Sequence, residues 1–426
     1  MVAPYDAPYG QTSARWEEIC DHMRQLHGDS LTTASCRKRF DDLLSAFKKS
    51  TLKALRASGT EEEYVERDQL MQDISDMIME DDGAMAPLVV DNLNPPLSTP
   101  PKKKRVACLD VFRGVTITVM IFVNLGGGGL DPFIHVGWNG LHPADCVFPF
   151  FAWIMGVTMN VGMASHAKKG TAPLEILLGN FVRSVKLFLL GLFVNNFRNL
   201  KTGRITGVLQ SFGFAYLAVS VGIVVGLHWK SDVRTWQHRL IEGAVIASLV
   251  TTNLLITFLL SVPGCPTSNL AHLTAMSLTG NEIEACGPHY YVDKLVFGDS
   301  HLYSAGNNDP EGLLNWLMVA FTAYIGYVVG GFFLATTEWK RKVAILMGAG
   351  IVLGLVGLGL AGFQVEGGPI PVNKSIWSVS FVLTVSGMAC VVLCVFYLIV
   401  DKFAWWHGMP FKETGMNAIA LYVGVR

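Results

Sequence analysis

From Val106 onward the chain alternates long apolar blocks with short polar joints, whereas residues 1–105 hold no apolar run that could cross a bilayer. A membrane-spanning helix needs about 20 consecutive, mostly apolar residues. Blocks of that kind predict spans over 108–125, 145–163, 176–197, 205–227, 240–262, 313–335, 343–362 and 375–400. A ninth opens near Met416 and is cut off at Arg426. The pattern therefore predicts an all-α polytopic membrane helix bundle over 106–426, with about eight complete spans and a truncated ninth. No secretory signal peptide is read, because Met1 is followed by a polar stretch without an apolar h-region.

The first 82 residues read as a small soluble helical extension. Trp16, Ile19, Met23 and Leu26 share one helix face, and Gly28-Asp29-Ser30 breaks it. A second helix over 31–57 is basic on one side, through Arg37, Lys38, Arg39, Lys48, Lys49, Lys53 and Arg56. Thr60 and Glu63 have capping-box spacing for a third, acidic helix to about Glu80. Residues 83–105 form a Pro-rich linker ending in Lys102-Lys103-Lys104-Arg105. Beside a span, that basic run reads as a positive-inside anchor.

Composition narrows the class further. Charged residues are only 16% and hydrophobic ones 51%, against about 25% charged in average soluble domains, so an ordinary cytosolic enzyme is excluded. A net charge of -1 removes any whole-chain case for nucleic-acid binding. Loop charge orients the spans. One set of joints carries Lys102 to Arg105, Lys168, Lys169, Lys230, Arg234, Arg239, Lys340, Arg341, Lys342, Lys402 and Lys412. The other carries only Arg198, Lys201, Arg204, Lys294 and Lys374. This asymmetry predicts a cytosolic N-terminus and a luminal or external large loop over 263–312. That loop holds Cys265 and Cys286, which an oxidising lumen would join as a disulfide.

Candidate chemistry gathers at span ends. Gly126-Gly127-Gly128-Gly129 opens the first luminal loop and allows unusual backbone angles. His135 comes next, an uncharged base near neutral pH beside Trp138. Such a group can accept a proton from an amine or carry an acyl group. Asn124 and Asp145 end spans close to it. Asp110 and Arg113 sit at i, i+3 near the other end of the first span, where an intrahelical ion pair is the simple reading. Arg183 and Lys186 lie deeper in the third span, where charge is costly and needs a reason. Arg183 could face an anionic ligand, and Lys186 could snorkel.

Ordered motifs make a resemblance. Asp110-Val111-Phe112-Arg113-Gly114, Phe122-Val123-Asn124, His135-Val136-Gly137-Trp138-Asn139-Gly140-Leu141 and Ala144-Asp145-Cys146-Val147-Phe148-Pro149-Phe150 resemble the catalytic domain of the heparan-alpha-glucosaminide N-acetyltransferase family. So do Val262-Pro263-Gly264-Cys265-Pro266-Thr267, Gly298-Asp299-Ser300-His301-Leu302-Tyr303, Asp309-Pro310-Glu311-Gly312, Ile370-Pro371-Val372-Asn373-Lys374 and Gly415-Met416-Asn417. The resemblance implies transfer of acetyl from cytosolic acetyl-CoA, as co-substrate, to the amine of a luminal glucosamine-type sugar. It implies a lysosomal or other endomembrane location.

It also implies His135 as catalytic residue, either general base or transient acyl carrier. With it come Asn124, Asp145, His301, Asn373 and Lys374 as expected acceptor-binding residues. Asp110, Arg113 and Arg183 are expected on the acetyl-CoA side, and no metal is expected. Expected partners are membrane lipid, acetyl-CoA, an amino-sugar or glycan acceptor, and a second copy of the chain.

Three features depart from the family pattern. Gly207-Val208-Leu209-Gln210-Ser211 has serine where the family has arginine. A helical extension stands in place of a luminal N-terminal domain. The family continues past Tyr422-Val423-Gly424 with further spans. The extension itself, with Trp16 and the Cys36-Arg37-Lys38-Arg39-Phe40 helix, loosely resembles a Myb/SANT-like trihelix module, a candidate for DNA binding. The rival readings are a transporter without acyl chemistry, against which no internal repeat is found, and a DNA-binding protein with a vestigial membrane domain.

Overall fold

A computed structural model describes residues 106–196, 203–229, 236–263, 287–303, 308–364 and 368–425, together with Glu17. The chain divides after Lys103, and the membrane unit runs from Lys104 to Arg426. The expected N-terminal helices, the basic linker, and Cys265 with Cys286 lie outside the described residues.

Eight helices are long and apolar enough to cross a membrane, so this is an integral, multi-pass protein. They are α1 (Ala107–Asn124), α2 (Pro143–Lys169), α3 (Pro173–Asn196), α4 (Val208–Trp229), α5 (Trp236–Leu259), α7 (Leu313–Ala335), α8 (Trp339–Leu360) and α9 (Val379–Phe396, continued by a π turn over Tyr397–Lys402). Between α5 and α7 runs the short α6 (Pro288–Phe297), and after α9 come α10 (Phe411–Met416) and α11 (Ala418–Val425). All eight predicted spans are present. In lipid every backbone polar group must be satisfied internally, so helices are the only option for apolar segments of this length that do not close into a barrel.

Two of the boundary differences have local causes. The apolar residues Ile376 and Trp377 suggested that the last span starts at 375. In fact residues 373–378 form a turn, with Trp377 at φ 46° and Ser378 capping α9 by accepting from the Phe381 amide. Similarly, Ile205 and Thr206 precede α4 as extended chain, and the Ile205 amide bonds the His301 carbonyl. Polarity of the large loop concealed α6. The expected ninth span begins as two short helices with a break at Asn417.

Two layers are evident. The α4 and α7 windows are 61% buried, whereas those of α3 and α8 are only 17% buried, so the former are central and the latter present Leu- and Val-rich faces outward. Bundle helices in lipid gain little from hydrophobicity and rely on close packing of small residues. Gly156 of α2 lies against the Ala323 carbonyl of α7, and Gly326 of α7 lies against the Trp153 carbonyl of α2. A methyl group at either would collide with backbone. Gly114 of α1 and Gly415 of α10 repeat the device, Gly415 resting on the Asp110 carbonyl.

Polar ties fix the ends. Asp401 accepts from the Ala107 and Cys108 amides at 3.2 and 3.0 Å, capping α1 from the far end of the sequence. Free amides at a helix start favour an anion in this way. A second tie joins α5 to α7. Glu242, fully buried, meets His238 Nε2 at 2.7 Å and Arg239 at 3.0 Å, and accepts from the Tyr327 hydroxyl at 3.3 Å. Its partners satisfy a buried carboxyl group that would be costly to leave unpaired away from water.

Candidate active site

Alternation of the spans places the segments 125–142, 203–207, 260–263, 287–303, 308–312, 361–364 and 368–378 at one end of the bundle. Their cross-links confirm it: Asn139 pairs with Asn373 across an antiparallel bridge, and Lys374 reaches Asp145. All four glycines of 126–129 have positive φ, from 59° to 97°, as the sequence anticipated. At Gly127 the chain also runs against Phe133, leaving no room for a side chain. The loop then turns through Asp131–Phe133 to present His135.

Asp145 organises the surroundings of that histidine. It sits in the first turn of α2, where a carboxylate is favoured by the helix dipole. Its Oδ2 reaches back to accept from the His142 amide at 3.1 Å and from the Val136 amide at 3.4 Å. That reach-back is the logic of a capping box. His142 in turn bonds the Ile134 carbonyl through Nδ1 at 2.8 Å, which closes the loop. Asp145 Oδ1 is left to face His135 Nδ1 at 2.8 Å and Lys374 Nζ at 3.2 Å. Lys374 Nζ is also 3.0 Å from His135 Nδ1. Three side chains from two loops and a helix start thus form one triangle.

Exposure differs sharply within it. The Asp145 side chain is 1% exposed and that of Lys374 19%, but the His135 side chain is 50% exposed. Asp145 can only accept, so a bond from His135 uses the tautomer with the proton on Nδ1 and leaves the Nε2 lone pair free, whereas the Lys374 ammonium can only donate and bonds the same Nδ1 only in the other tautomer. Among the described residues Nε2 has no hydrogen-bond partner. The arrangement suits acid–base or nucleophilic chemistry at Nε2, with the carboxylate fixing ring and tautomer. Burial lowers the Lys374 ammonium below its ordinary pKa, against the opposing pull of Asp145.

The other expected residues are more dispersed. Asn124 is the exposed last residue of α1. Asn373 is fully buried, giving its Nδ2 hydrogen to Asn139 and accepting from the Ile376 amide, so it braces the turn that carries Lys374. His301 bonds the Gly203 carbonyl at 2.7 Å. Asp110 and Arg113 form the i, i+3 ion pair at 3.0 Å. Asp110 stands about 21 Å and Arg113 about 17 Å of helix rise from Asn124, toward the opposite end of α1. Arg183 is exposed on α3 with its guanidinium 4.9 Å over the Tyr216 ring. Among the described residues no group of three or more His, Cys, Asp or Glu gathers as a metal site.

The structure adds groups the sequence did not single out. Trp138 and Trp377 stand three residues after His135 and Lys374, and each has a buried indole N–H with no hydrogen-bond partner among the described residues. Asp309 is buried and takes Arg204 at 2.8 Å, the Glu311 amide at 2.8 Å and the Thr206 hydroxyl. Asp293 accepts from the Leu313 amide at the start of α7.

Burial raises Asp293 to about 7, with the charge of Asp309 adding to it. A carboxyl raised on folding favours the folded state while protonated. Its contribution is complete below the ordinary aspartate value of about 4 and is lost as pH rises through about 7. Thermal stability of the purified protein should therefore decline across that window, and Asp293→Asn should flatten the decline. An unaltered slope in the variant would assign the decline to other groups.

Together these features define a membrane helix bundle with a histidine–carboxylate site at one face. No family profile matches the chain. Over 348 residues it is 35% identical to the heparan-alpha-glucosaminide N-acetyltransferase of Homo sapiens, and over 351 residues 34% identical to that of Mus musculus, each alignment covering 75% of this chain. The chain is thus similar to heparan-alpha-glucosaminide N-acetyltransferases over three quarters of its own length. It spans about half the length of these curated relatives, 52% and 53%.

Proposed function

We propose that the chain is a transmembrane N-acetyltransferase that moves acetyl from cytosolic acetyl-CoA to the amine of a glucosamine-type sugar on the luminal side, with His135 as the reacting base. The observation that carries the reading is the His135–Asp145 pair at 2.8 Å with Nε2 left open at the bundle face. Relatives named for this activity support it. The donor is too polar to cross lipid and the acceptor lies beyond it, so the reaction needs a site between two aqueous faces.

In this reaction the acceptor nitrogen attacks the thioester carbonyl and a C–N bond forms. His135 Nε2 takes the proton that the nitrogen sheds. The C–S bond breaks, and the coenzyme A thiolate leaves with a proton returned from the imidazolium. Asp145 keeps Nδ1 protonated and compensates the positive ring while it exists. In the acyl-carrier route the same Nε2 attacks the thioester first and expels the coenzyme A thiolate, and the amine then attacks acetyl-histidine, expelling the imidazole as its proton passes to the thiolate. Asp110 and Arg113, at the other end of α1, are the proposed contacts for the coenzyme A head group, with Arg183 on the same route. The proposed acceptor side comprises Asn124, His301 and the Asn373–Lys374 turn. A lysosomal or other endomembrane location accompanies this reading.

Reconstituted protein supplied with acetyl-labelled acetyl-CoA on one face and glucosamine on the other should yield labelled N-acetylglucosamine. Correctly inserted protein that makes none would exclude the reading. Glycosylation acceptor sites placed near Gly306 should be modified and those near Lys169 should not. The reverse pattern would invert the membrane orientation.

A further inference from the structure

The helices α8 and α9 pack against each other, and each carries an outward apolar stripe that ends in a lysine at the same end of the bundle. On α8 the stripe runs back from Leu355 through Ile351, Gly348 and Ala344 to Lys340, all exposed and at helical spacing. On α9 it runs through Met388, Val391 and Val395, and Lys402 follows seven residues later, also exposed. Both lysines converge on one ring. Lys340 Nζ lies 5.8 Å and Lys402 Nζ 5.0 Å from the centroid of the Trp339 ring, within cation–π reach.

The surrounding charges leave this pair without a counter-ion. The carboxylates nearest in sequence are committed: Glu338 pairs with Arg341 at 2.9 Å, and Asp401 accepts from the Ala107 and Cys108 amides. Lys342 is turned inward over the Phe333 and Tyr397 rings, 4.5 and 5.3 Å away. Among the described residues neither Lys340 nor Lys402 has an ion-pair partner. Two like charges held against one ring repel each other, and an anion set between them removes that cost.

Aromatic rings stand beside the charges. Ala404 has a positive φ of 51°, uncommon for a residue with a side chain, and the turn brings Phe403 and Trp405 into a stacked pair at 4.9 Å. Phe403 also meets Trp339 edge-on at 6.2 Å. Trp405 is 76% exposed. Exposed indole and lysine at the end of an apolar helix face is the composition of a membrane interface.

We propose that Trp339, Lys340, Lys402, Phe403 and Trp405 form a binding site for one anionic phospholipid, with its phosphate between the two ammoniums and its acyl chains along the outward stripes of α8 and α9. A soluble phosphate compound could meet the same ammoniums. The lysines, however, continue apolar stripes that acyl chains cover and a soluble anion does not, and that continuity commits the site to a lipid. The proposal is independent of the acetyltransferase reading. In the orientation proposed above the site faces the cytosolic leaflet, where phosphatidylserine and phosphatidylinositol lipids gather.

The test titrates the full-length protein in detergent with phosphatidylserine or phosphatidylcholine and follows binding by native mass spectrometry. A lysine near an anionic headgroup contributes about fivefold in affinity, so phosphatidylserine should bind roughly 25-fold more tightly than phosphatidylcholine. Lys340→Gln and Lys402→Gln should each lose about fivefold, and the double variant should approach the phosphatidylcholine level. Lys340→Arg combined with Lys402→Arg should keep the preference. Arg341→Gln is the control, because that cation already has Glu338. Both lysines are exposed, so every variant should unfold at the wild-type temperature when no lipid is added.

The proposal is overturned if the single and double glutamine variants keep the preference for phosphatidylserine. It is also overturned if wild-type protein binds the two lipids equally, which would make the rings a general interfacial belt. A loss in Arg341→Gln as large as in the lysine variants would assign the preference to the overall charge of this end. Coenzyme A, added to the same titration, distinguishes the other source of phosphate. If it displaces phosphatidylserine from wild-type protein and binds the double glutamine variant more weakly, the site takes a soluble ligand and the lipid assignment fails.

Discussion

Replacing His135 by alanine should abolish acetyl transfer while membrane insertion and expression stay normal. General acid–base catalysis contributes roughly 10²–10⁴-fold, so the residual rate should fall by at least that factor. A route through acetyl-histidine would give a larger loss and leave a labelled imidazole in wild-type protein quenched before acceptor is added. Insertion should survive because the His135 side chain is 50% exposed and its removal opens no internal cavity. His301 is the informative comparison. Its ring bonds the Gly203 carbonyl, so His301→Ala should act mainly through the order of the 203–207 segment. If His135→Ala retained most of its rate while His301→Ala lost it, the base would lie in the large loop.

The second large effect concerns Asp145. Asparagine there keeps the volume but can present an N–H to His135 Nδ1, which inverts the tautomer and occupies Nε2 with the proton. In a Ser-His-Asp triad the equivalent change costs about 10⁴ in rate, and a comparable loss of at least 10² is expected here. Stability separates the two replacements available. Asp145→Ala strands the buried Lys374 and two loop amides, and breaking a buried pair costs about 3–5 kcal/mol. Asp145→Asn should retain the bonds from the His142 and Val136 amides and so fold better than Asp145→Ala. Equal thermal stability of the two variants would show that the carboxylate does not hold the loop.

Legibility in the sequence tracked separation along the chain. Spans are written in local hydrophobicity, so the window at 313–335 could be read to the residue and the others to within six residues. The ion pair of Asp110 and Arg113 was legible because three residues separate its members. His135 and Asp145, ten residues apart, could be brought close by a loop, though not into a 2.8 Å bond. Nothing local announced that Lys374, 229 residues from Asp145, completes their triangle. Asp401 ends an apolar run, and its partners lie at the first span, nearly 300 residues away. His238 and Glu242 carried a local signal, the i, i+4 spacing, which a count of loop charges passed over. Trp138 and Trp377 gave none, since hydropathy records an indole as bulk and ignores its donor.

The cap that Asp401 places on the Ala107 and Cys108 amides has a consequence for biogenesis. Donor and acceptor are separated by 294 and 293 residues. At a synthesis rate of about 5–20 residues per second, the first segment waits roughly 15–60 s in the translocation machinery or the surrounding lipid before its closing partner exists. During that interval the start of the nascent bundle has unsatisfied amides at the membrane surface, and Gly114 has an open groove where α10 will later lie. Ribosome-stalled intermediates halted between the seventh and eighth spans, α8 and α9, are thus the stage at which insertion factors and quality-control proteases should find this chain most accessible.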